Sequence, residues 1–480
     1  MSPERLSSLD ASFLYLERPA MHMHVAGVSV FEPRRDGPLT YDDVQRVVEQ
    51  RLHLAPRMRQ RVLPVPGNLA RPLWADDERF DLDFHLRRAA VPSPGGRFQL
   101  ERATGRVLSR PLDRSKPLWE LYVFEGLERD RTAVLLKMHH ALADGIAGMV
   151  IASALFDLAP DAAGPAPPRS AWSPEAAPSS QDLVSGALRE QLLHPLEAIA
   201  HVAQAPSRFA GEIAQTLSGM RDVAGMGRAP QGPFDAGVGP ARRFATTEVS
   251  FERLRRVKRA LGGTINDVVI TVVAIGVHDL LASRGEPVRG RTLRVMVPVS
   301  VRARGQRGDV GNRVAPALLD IPVGRMAART RLRRVRAAAA ALKDSAMAVS
   351  ADSIIGLGAF APPALHATAA RLVSRGRWFN LVVSNIPAPQ VPIYLAGARL
   401  EASYPAMPLA ENCGLSIACT SLGGTMAFGL TADWDSVPDI GTLALGIDHG
   451  VRELEAATAV NLSPRPSPRR SSRRTSRPPR

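Results

Sequence analysis

The sequence predicts an α/β protein with two lobes. Short runs rich in β-branched residues alternate with stretches of helical periodicity, the pattern of mixed sheets with flanking helices. The chain has 480 residues and 45% hydrophobic content, enough for two or three ordinary domains. A segment dense in Pro, Ala and Ser, from Pro160 to Ser180, interrupts this pattern. We therefore predict a first lobe over residues 1–159, a linker and helical connection over 160–240, and a second lobe over 241–462.

In the first lobe, two short β-prone runs precede a cluster of polar residues. Leu121–Phe124 and Ala133–Met138 are separated by a charged turn that contains Gly126, which predicts a hairpin. The second run leads into the heptapeptide His139–Gly145, and Ile146–Leu158 then has the character of a helix. The two adjacent histidines are thus predicted at the end of a strand.

The second lobe is predicted to contain both helices and strands. Predicted helices are Phe251–Leu261, which is followed by Gly262-Gly263, Asn266–Ser283 and Asp439–Thr458, and predicted strands are Thr292–Val299, Asn380–Ser384, Leu415–Thr420 and Thr425–Thr431. The pair Gly423-Gly424 predicts a hairpin turn between the last two strands. The apolar run Val268–Val277 is too short to cross a bilayer and predicts a buried helix.

The net charge of +15 is partly a property of the C-terminal segment. Residues 463–480 contain seven arginines and no acid, which leaves +8 for the rest of the chain. Because this segment has no apolar residue to bury, we expect it to be disordered. It is either a solvated extension without a dedicated partner or an attractor of anionic lipid headgroups or nucleic acid. Nucleic acid is not an expected partner, since no aromatic and basic interleaving accompanies the charge.

Other features favour a cytoplasmic protein without a metal or redox cofactor. Cys413 and Cys419 are the only cysteines, too few for a disulfide framework. The first residues, Met1–Asp10, lack the apolar core of a secretory signal. The remaining histidines do not cluster at metal-ligand spacing.

The heptapeptide is suited to proton transfer. Histidine titrates near neutrality, so an imidazole can take a proton from a hydroxyl without a large pKa shift. Because consecutive residues of a strand point to opposite sides, only one of His139 and His140 can face a substrate. Asp144 can accept backbone N–H groups or an arginine, and Gly145 permits close approach. The structural alternative is a buried histidine pair at a strand–helix junction.

The heptapeptide resembles the HHxxxDG signature of the acyl-CoA-dependent acyltransferase superfamily, which includes chloramphenicol acetyltransferase-like enzymes and condensation domains. Further segments look like successive motifs of the bacterial wax ester synthase/diacylglycerol acyltransferases: Leu6–Asp10, Phe13-Leu14, Met23–Val25, Pro117–Glu120, Asn266-Asp267, Val297–Arg302, Gly311-Asn312 and Ser384–Pro387. This resemblance covers nearly the whole chain. His22 stands where the family usually has Pro, and Ala388 where it often has Gly, so the substrate preference of relatives does not carry over directly.

The resemblance implies two chloramphenicol acetyltransferase-like lobes with an active-site tunnel at their interface. It makes His140 the general base, with His139 supporting its geometry and Asp144 fixing the loop. Asn266 is either an oxyanion donor or an ordinary helix N-cap. Gly145, together with Ser384 and Asn385, is expected near the substrate.

The expected reaction is transfer of a long acyl chain from acyl-CoA to diacylglycerol or a long-chain alcohol. No Gly-x-Ser-x-Gly elbow is apparent, so direct attack by the hydroxyl is favoured over an acyl-enzyme. We expect peripheral contact with the inner membrane or with lipid inclusions. Two alternatives remain: a condensation-type transferase with a carrier-bound donor, and a lipid-binding homologue without turnover.

Overall fold

The computed structural model describes residues 4–142, 151, 154–190, 227–300, 314–344, 368, 371 and 375–462. Strands β1 to β15 are Glu4–Arg5, His24–Phe31, Gln60–Leu63, Leu73–Asp76, Leu86–Ala90, Trp119–Glu125, Thr132–His139, Arg242–Ser250, Thr292–Ser300, Val314–Pro322, Leu381–Pro387, Tyr394–Leu395, Ala398–Ala406, Leu415–Leu422 and Thr425–Asp433. Helices α1 to α8 are Ser8–Leu16, Tyr41–Arg51, Leu82–His85, Arg97–Leu108, Phe251–Leu261, Ile265–Ser283, Ala328–Asp344 and Ile440–Leu462.

The first lobe is organised around a six-stranded mixed sheet in the order β12-β13-β2-β7-β6-β5. Strands β6 and β7 form the predicted antiparallel hairpin. Strand β7 also pairs with β2, and this register sets His139 opposite His24. A small sheet, β1-β4-β3, lies in the same half of the sequence.

The second lobe contains a six-stranded mixed sheet in the order β10-β9-β11-β14-β15-β8. Its core is formed largely by aliphatic side chains of the sheet and of α6 and α8. The hairpin β14–β15 turns at Gly423-Gly424, whose φ angles of 54° and 85° are in the left-handed region that glycine adopts without strain.

Two strands from the second half of the chain, β12 and β13, belong to the first sheet. Although β13 follows β11 in the chain, it pairs with β2 of the first sheet, with Tyr404 opposite Val28. The two sheets therefore do not separate at a single point of the sequence. This exchange joins the lobes through backbone hydrogen bonds.

Helix α6 is long and apolar enough, by length and composition, to cross a membrane, and 72% of its most apolar window is buried inside the protein. It packs closely on α8 because small residues face each other. A Cβ built on Gly446 would lie 2.7 Å from the Cα of Gly276. We conclude that α6 is a core helix of the second lobe, as the sequence predicted.

The predicted strands and helices of the second lobe agree with the structure in position. Helix α5 has the predicted bounds and ends at Gly262, whose φ is 77°. Helix α6 begins at Ile265, one residue before the predicted start. Most of the predicted helix after the histidine pair lies outside the described residues. The helix ends before the predicted Leu158, because Asp157 already forms an extended bridge with Tyr394.

Candidate active site

The histidine pair lies where β7 ends. His139 is the last residue of the strand, and its N–H donates to the carbonyl of Leu118 at 2.9 Å. The N–H of His140 donates to the carbonyl of Met23 at 2.7 Å. The pair is therefore held from both sides by segments that belong to the family-like motifs, which gives those motifs a structural role.

The lone pair of His139 Nδ1 is already used within the protein. This Nδ1 accepts the N–H of Ala141 at 3.0 Å, which places a ring proton on Nε2. That Nε2 lies 3.6 Å from Oε2 of Glu17, a charge contact longer than a hydrogen bond. The side chain is 1% exposed. His139 consequently has no lone pair available to a substrate.

His140 is placed differently. Its ring stacks on Phe13, with centroids 3.8 Å apart and an interplanar angle of 21°. Burial lowers the pKa of His140 to about 4, its own backbone carbonyl opposes the shift, and the neighbouring His139 adds to it. The imidazole is therefore neutral at pH 7. Nδ1 has no hydrogen-bond partner among the described residues, and with the proton on Nδ1 the lone pair of Nε2 is the basic position.

Glu17, which the sequence did not single out, organises the pair. Its Oε1 accepts a hydrogen bond from the N–H of Met23 at 3.3 Å, and its Oε2 accepts one from Nε–H of Arg114 at 2.8 Å. Burial alone would raise the pKa of Glu17, but His139 and Arg114 overcome it and hold the pKa at about 2. Glu17 lies one turn after Phe13, so the end of α1 contacts both imidazoles. The four-residue spacing between Phe13 and Glu17 was the only sequence feature that could have indicated a role for Glu17.

Three side chains near the pair bind carbonyls at the C-terminal end of α4 and just after it. They are Lys137 of β7, His24 of β2, and His22, which precedes β2. Lys137 Nζ donates to Val107 O at 3.3 Å and Arg110 O at 2.9 Å, His24 Nε2 contacts Leu108 O at 3.0 Å, and His22 Nε2 contacts Ser109 O at 3.1 Å. The final carbonyls of a helix have no intrahelical partner, so these contacts satisfy them. Burial lowers the pKa of both His22 and His24, consistent with neutral rings that donate through Nε2.

The end of α4 also contacts the second lobe. The hydroxyl of Ser109 accepts the N–H of Arg242, the first residue of β8, at 2.8 Å. The Arg242 guanidinium donates to the carbonyl of Ala20 at 2.6 Å. The position of the second lobe is thus linked to the segment that carries the histidine pair.

Asn266 is not a helix N-cap, so that alternative was wrong. Thr264 is the cap of α6, and its side chain accepts the N–H of Asp267 at 3.1 Å. The carboxylate of Asp267 accepts the N–H of Thr264 at 2.7 Å, which completes a capping box. Asn266 lies inside the first turn, and its side-chain amide is not needed to cap the helix.

We predict that Asn266→Asp melts normally but loses acyl transfer. A carboxylate in the first turn suits the helix dipole, so stability should be kept. If Asn266 donates to the oxyanion, a carboxylate cannot replace it, and we expect a loss on the order of 100-fold or more in turnover. Thermal melting and initial rates measure the two effects separately. Full turnover in a normally melting variant would exclude Asn266 from catalysis.

The other predicted site residues belong to the second lobe or lie outside the described residues. Ser384 is buried on β11 and stands opposite Ala418, and Asn385 is the next residue of that strand. Asp144 and Gly145 fall within residues 143–150, which are not described. The described hydrogen bonds of the histidine pair all lie within the first lobe, so the roles of Ser384 and Asn385 stay predictions.

Other reactive groups are unsuited to catalysis here. Cys413 and Cys419 are free and buried, and burial raises the pKa of both thiols to about 12. Such thiols are not nucleophiles at neutral pH. Within the described ranges, no group of three His, Cys, Asp or Glu side chains is arranged to hold a metal ion.

The two-lobed fold and the histidine pair define an acyltransferase of the chloramphenicol acetyltransferase-like class. A starter condensation domain of rhizomide synthetase shares the fold, with a TM-score of 0.55, 14% identity and 95% coverage of both chains. The wax ester synthase/diacylglycerol acyltransferase from Marinobacter aquaeolei has a TM-score of 0.66 and 25% identity, covering 95% of this chain and 100% of that one.

The chain belongs to the wax ester synthase/diacylglycerol acyltransferase family. The family's catalytic domain model matches residues 6–269, and the WS/DGAT C-terminal domain model matches residues 310–455. A Mycobacterium tuberculosis protein named as a diacylglycerol O-acyltransferase is 32% identical over 458 residues, 94% of this chain and 90% of the relative. A Mycobacterium bovis protein named likewise is 32% identical over 456 residues, 94% and 98% of the two chains.

Proposed function

We propose that this acyltransferase moves a long acyl chain from acyl-CoA to the hydroxyl of diacylglycerol or a long-chain alcohol, with His140 as general base. The observation that carries the proposal is the difference between the two imidazoles. The Nδ1 of His139 already accepts the N–H of Ala141, and its Nε2 faces the carboxylate of Glu17 at 3.6 Å. His140 is neutral and retains a lone pair. Only His140 can accept a proton from a substrate without first breaking a contact within the protein.

The proposed step needs no covalent enzyme intermediate. The acceptor oxygen attacks the thioester carbonyl carbon while its proton moves to Nε2 of His140. The resulting oxyanion collapses, the C–S bond breaks, and the leaving thiolate takes the proton back from His140. Phe13 restricts rotation of the imidazole by stacking on it. Asn266 is our candidate for the amide that stabilises the oxyanion.

Coenzyme A carries several phosphate charges, so we propose a basic site for the donor. A cavity of about 450 Å³ beside the start of α6 is lined by Gly263, Asp267, Arg333 and Arg336. Both arginines are exposed, and guanidinium groups bind phosphate well.

We predict an unusually low acid limb in the pH profile. Only the neutral form of His140 can accept a proton, so activity is lost as pH falls through the pKa of about 4. An imidazole with an ordinary pKa would lose activity near pH 6.5. The measurement is kcat/KM against pH in constant ionic strength, because this ratio reports the free enzyme. An acid limb near 6.5 would show that His140 is not desolvated as described.

The decisive experiment is release of free coenzyme A thiol from palmitoyl-CoA in the presence of an acceptor. Diacylglycerol and hexadecanol are supplied separately, and product lipids are identified by mass. Acceptor-dependent thiol release supports the proposal, and the product distinguishes triacylglycerol from wax ester. Activity only with an acyl group on a carrier protein would favour the condensation-type alternative. Lipid binding without release would favour the non-catalytic one.

We also propose that the enzyme meets its acceptor at a membrane or lipid-inclusion surface. Both proposed acceptors are water-insoluble, so they must be drawn from a lipid phase. A flotation assay with vesicles that contain diacylglycerol tests this directly.

A further inference from the structure

A cavity of about 720 Å³ lies between the two lobes. First-lobe walls come from β2 and the start of α4, and second-lobe walls from β8 and α8, with β13 crossing between them. Its lining includes neither histidine of the pair. Pockets of this size, with apolar walls and a few convergent polar groups, are typical of small-molecule sites.

The floor of the cavity is aliphatic and aromatic. Val28 and Val30 of β2, Leu100 of α4 and Phe244 of β8 line it, and each is less than 9% exposed. On the rim, Leu445 of α8 is 70% exposed. Such walls favour an aliphatic chain, because burying each methylene contributes about 0.8 kcal/mol.

Polar groups converge on one side of this floor. The hydroxyl of Tyr404 donates to the carboxylate of Glu248. Oε1 of Glu101 accepts both the N–H and the hydroxyl of Thr246 at 2.7 Å. Within the described contacts, Oε2 of Glu101 is left as an acceptor for a ligand hydroxyl.

Among the described residues, the charged groups of the lining offer an anion no unpaired cation. Four carboxylates and two arginines line the cavity: Glu101, Glu248, Glu401, Asp448, Arg97 and Arg131. Arg131 is already paired with Glu401 at 3.2 Å. Arg97 lies 3.8 Å from Glu101, and Asp448 is paired with Arg253 and Arg452, so the described part of the wall has no excess positive charge to bind a fatty acid carboxylate or the phosphates of coenzyme A. A neutral lipid with a hydroxyl group needs no such charge.

We propose that this cavity is a second lipid site, separate from the histidine pair, which holds a neutral hydroxyl-bearing lipid. The choice of ligand rests on the proposed function, because this is the chemical class of its acceptor. Glu101 lies seven residues before Leu108 on α4, about 10 Å, and the carbonyl of Leu108 contacts His24, which stands opposite His139. A lipid hydroxyl at Glu101 is therefore not at the reacting position, and the site holds acceptor lipid apart from the reaction.

Gly441 offers a variant that fills the cavity without disturbing the fold. It lines the cavity in the first turn of α8, and a Cβ added there would meet no atom within 4 Å. Any residue other than proline also suits a helix better than glycine. Gly441→Phe should block the cavity, and Gly441→Ala is the matched control with the same loss of glycine and little added volume.

The test is photolabelling of the full chain, without any acyl donor, by a long-chain alcohol that carries a diazirine. We expect label in peptides containing residues 95–101 and 441–448, reduced about tenfold in Gly441→Phe relative to Gly441→Ala, a difference near 1.4 kcal/mol. Excess dioleoylglycerol should compete, and oleate should not. Thermal melting of both variants confirms that they are folded.

Three outcomes would overturn the proposal: label confined to peptides around residues 139–142, equal labelling of the two Gly441 variants, or equal competition by oleate. Because turnover is not part of the readout, failure of labelling would leave the catalytic proposal intact. Absence of thiol release alongside specific labelling would remove the catalytic proposal and keep the lipid site.

Discussion

His140→Ala is expected to lower acyl transfer by roughly two to four orders of magnitude, the usual effect of losing a general base. The fold should persist. The His140 side chain stacks on Phe13 at the edge of α1, and its strand-end anchor is a backbone bond to Met23 that alanine keeps. The measurement is steady-state thiol release with saturating palmitoyl-CoA and acceptor. The loss should be in kcat, because the proton moves in the transition state.

His139→Ala is the matched control because it removes the adjacent imidazole. His139 accepts the N–H of Ala141 and contacts Glu17, so its loss leaves a buried carboxylate with one partner fewer. We expect a lower melting temperature and a smaller loss of kcat. If His140→Ala keeps near-normal turnover and His139→Ala does not, the base has been assigned to the wrong imidazole.

The sequence predicted those parts of the fold that depend on local pattern. Helix α5 follows from apolar residues at helical spacing and the glycines after it, and β14–β15 from two β-branched runs around a glycine pair. The return of β13 to the first sheet could not be predicted in this way. Its pairing with β2 depends on contacts between distant segments, which no local periodicity records.

The candidate site was likewise predicted only where a local motif indicates it. The histidine pair was identified from its motif, and its position at the end of β7 is confirmed. Glu17 was missed because it reaches His139 only when α1 packs against the end of β7. The cap of α6 was available in the sequence, since Thr264 and Asp267 have the spacing of a capping box. Asn266 was interpreted as the possible cap instead of Thr264, because it belongs to the family-like Asn-Asp motif.

The second large effect is expected from Lys137→Met, in the stability of the protein. The Lys137 side chain is fully buried, and its Nζ lies 3.0 Å from Oε2 of Glu120. Removing one partner of a buried ion pair typically costs about 3–5 kcal/mol, and we expect the lower end of this range, because Glu120 keeps Arg87 at 3.3 Å and the hydroxyl of Tyr122 at 3.1 Å. Here the last carbonyls of α4 also lose a donor. Chemical denaturation measures the loss, and Lys116→Met, whose partly exposed contact with Asp77 is 3.7 Å long, should lose less than about 1 kcal/mol.

A double variant separates two effects of Lys137→Met: the loss of a charge partner for Glu120 and the loss of a donor for the carbonyls at the end of α4. In Lys137→Met/Glu120→Gln no carboxylate remains to be compensated, so part of the stability should return. The carbonyls of α4 would still lack their donor, and through Ser109 they hold Arg242 of the second lobe. Because Lys137 lies two residues before His139 on the same face of β7, we expect kcat to stay reduced in the stabilised double variant. Full recovery of both stability and kcat would mean that Lys137 only neutralises Glu120 and does not set the position of the histidine pair.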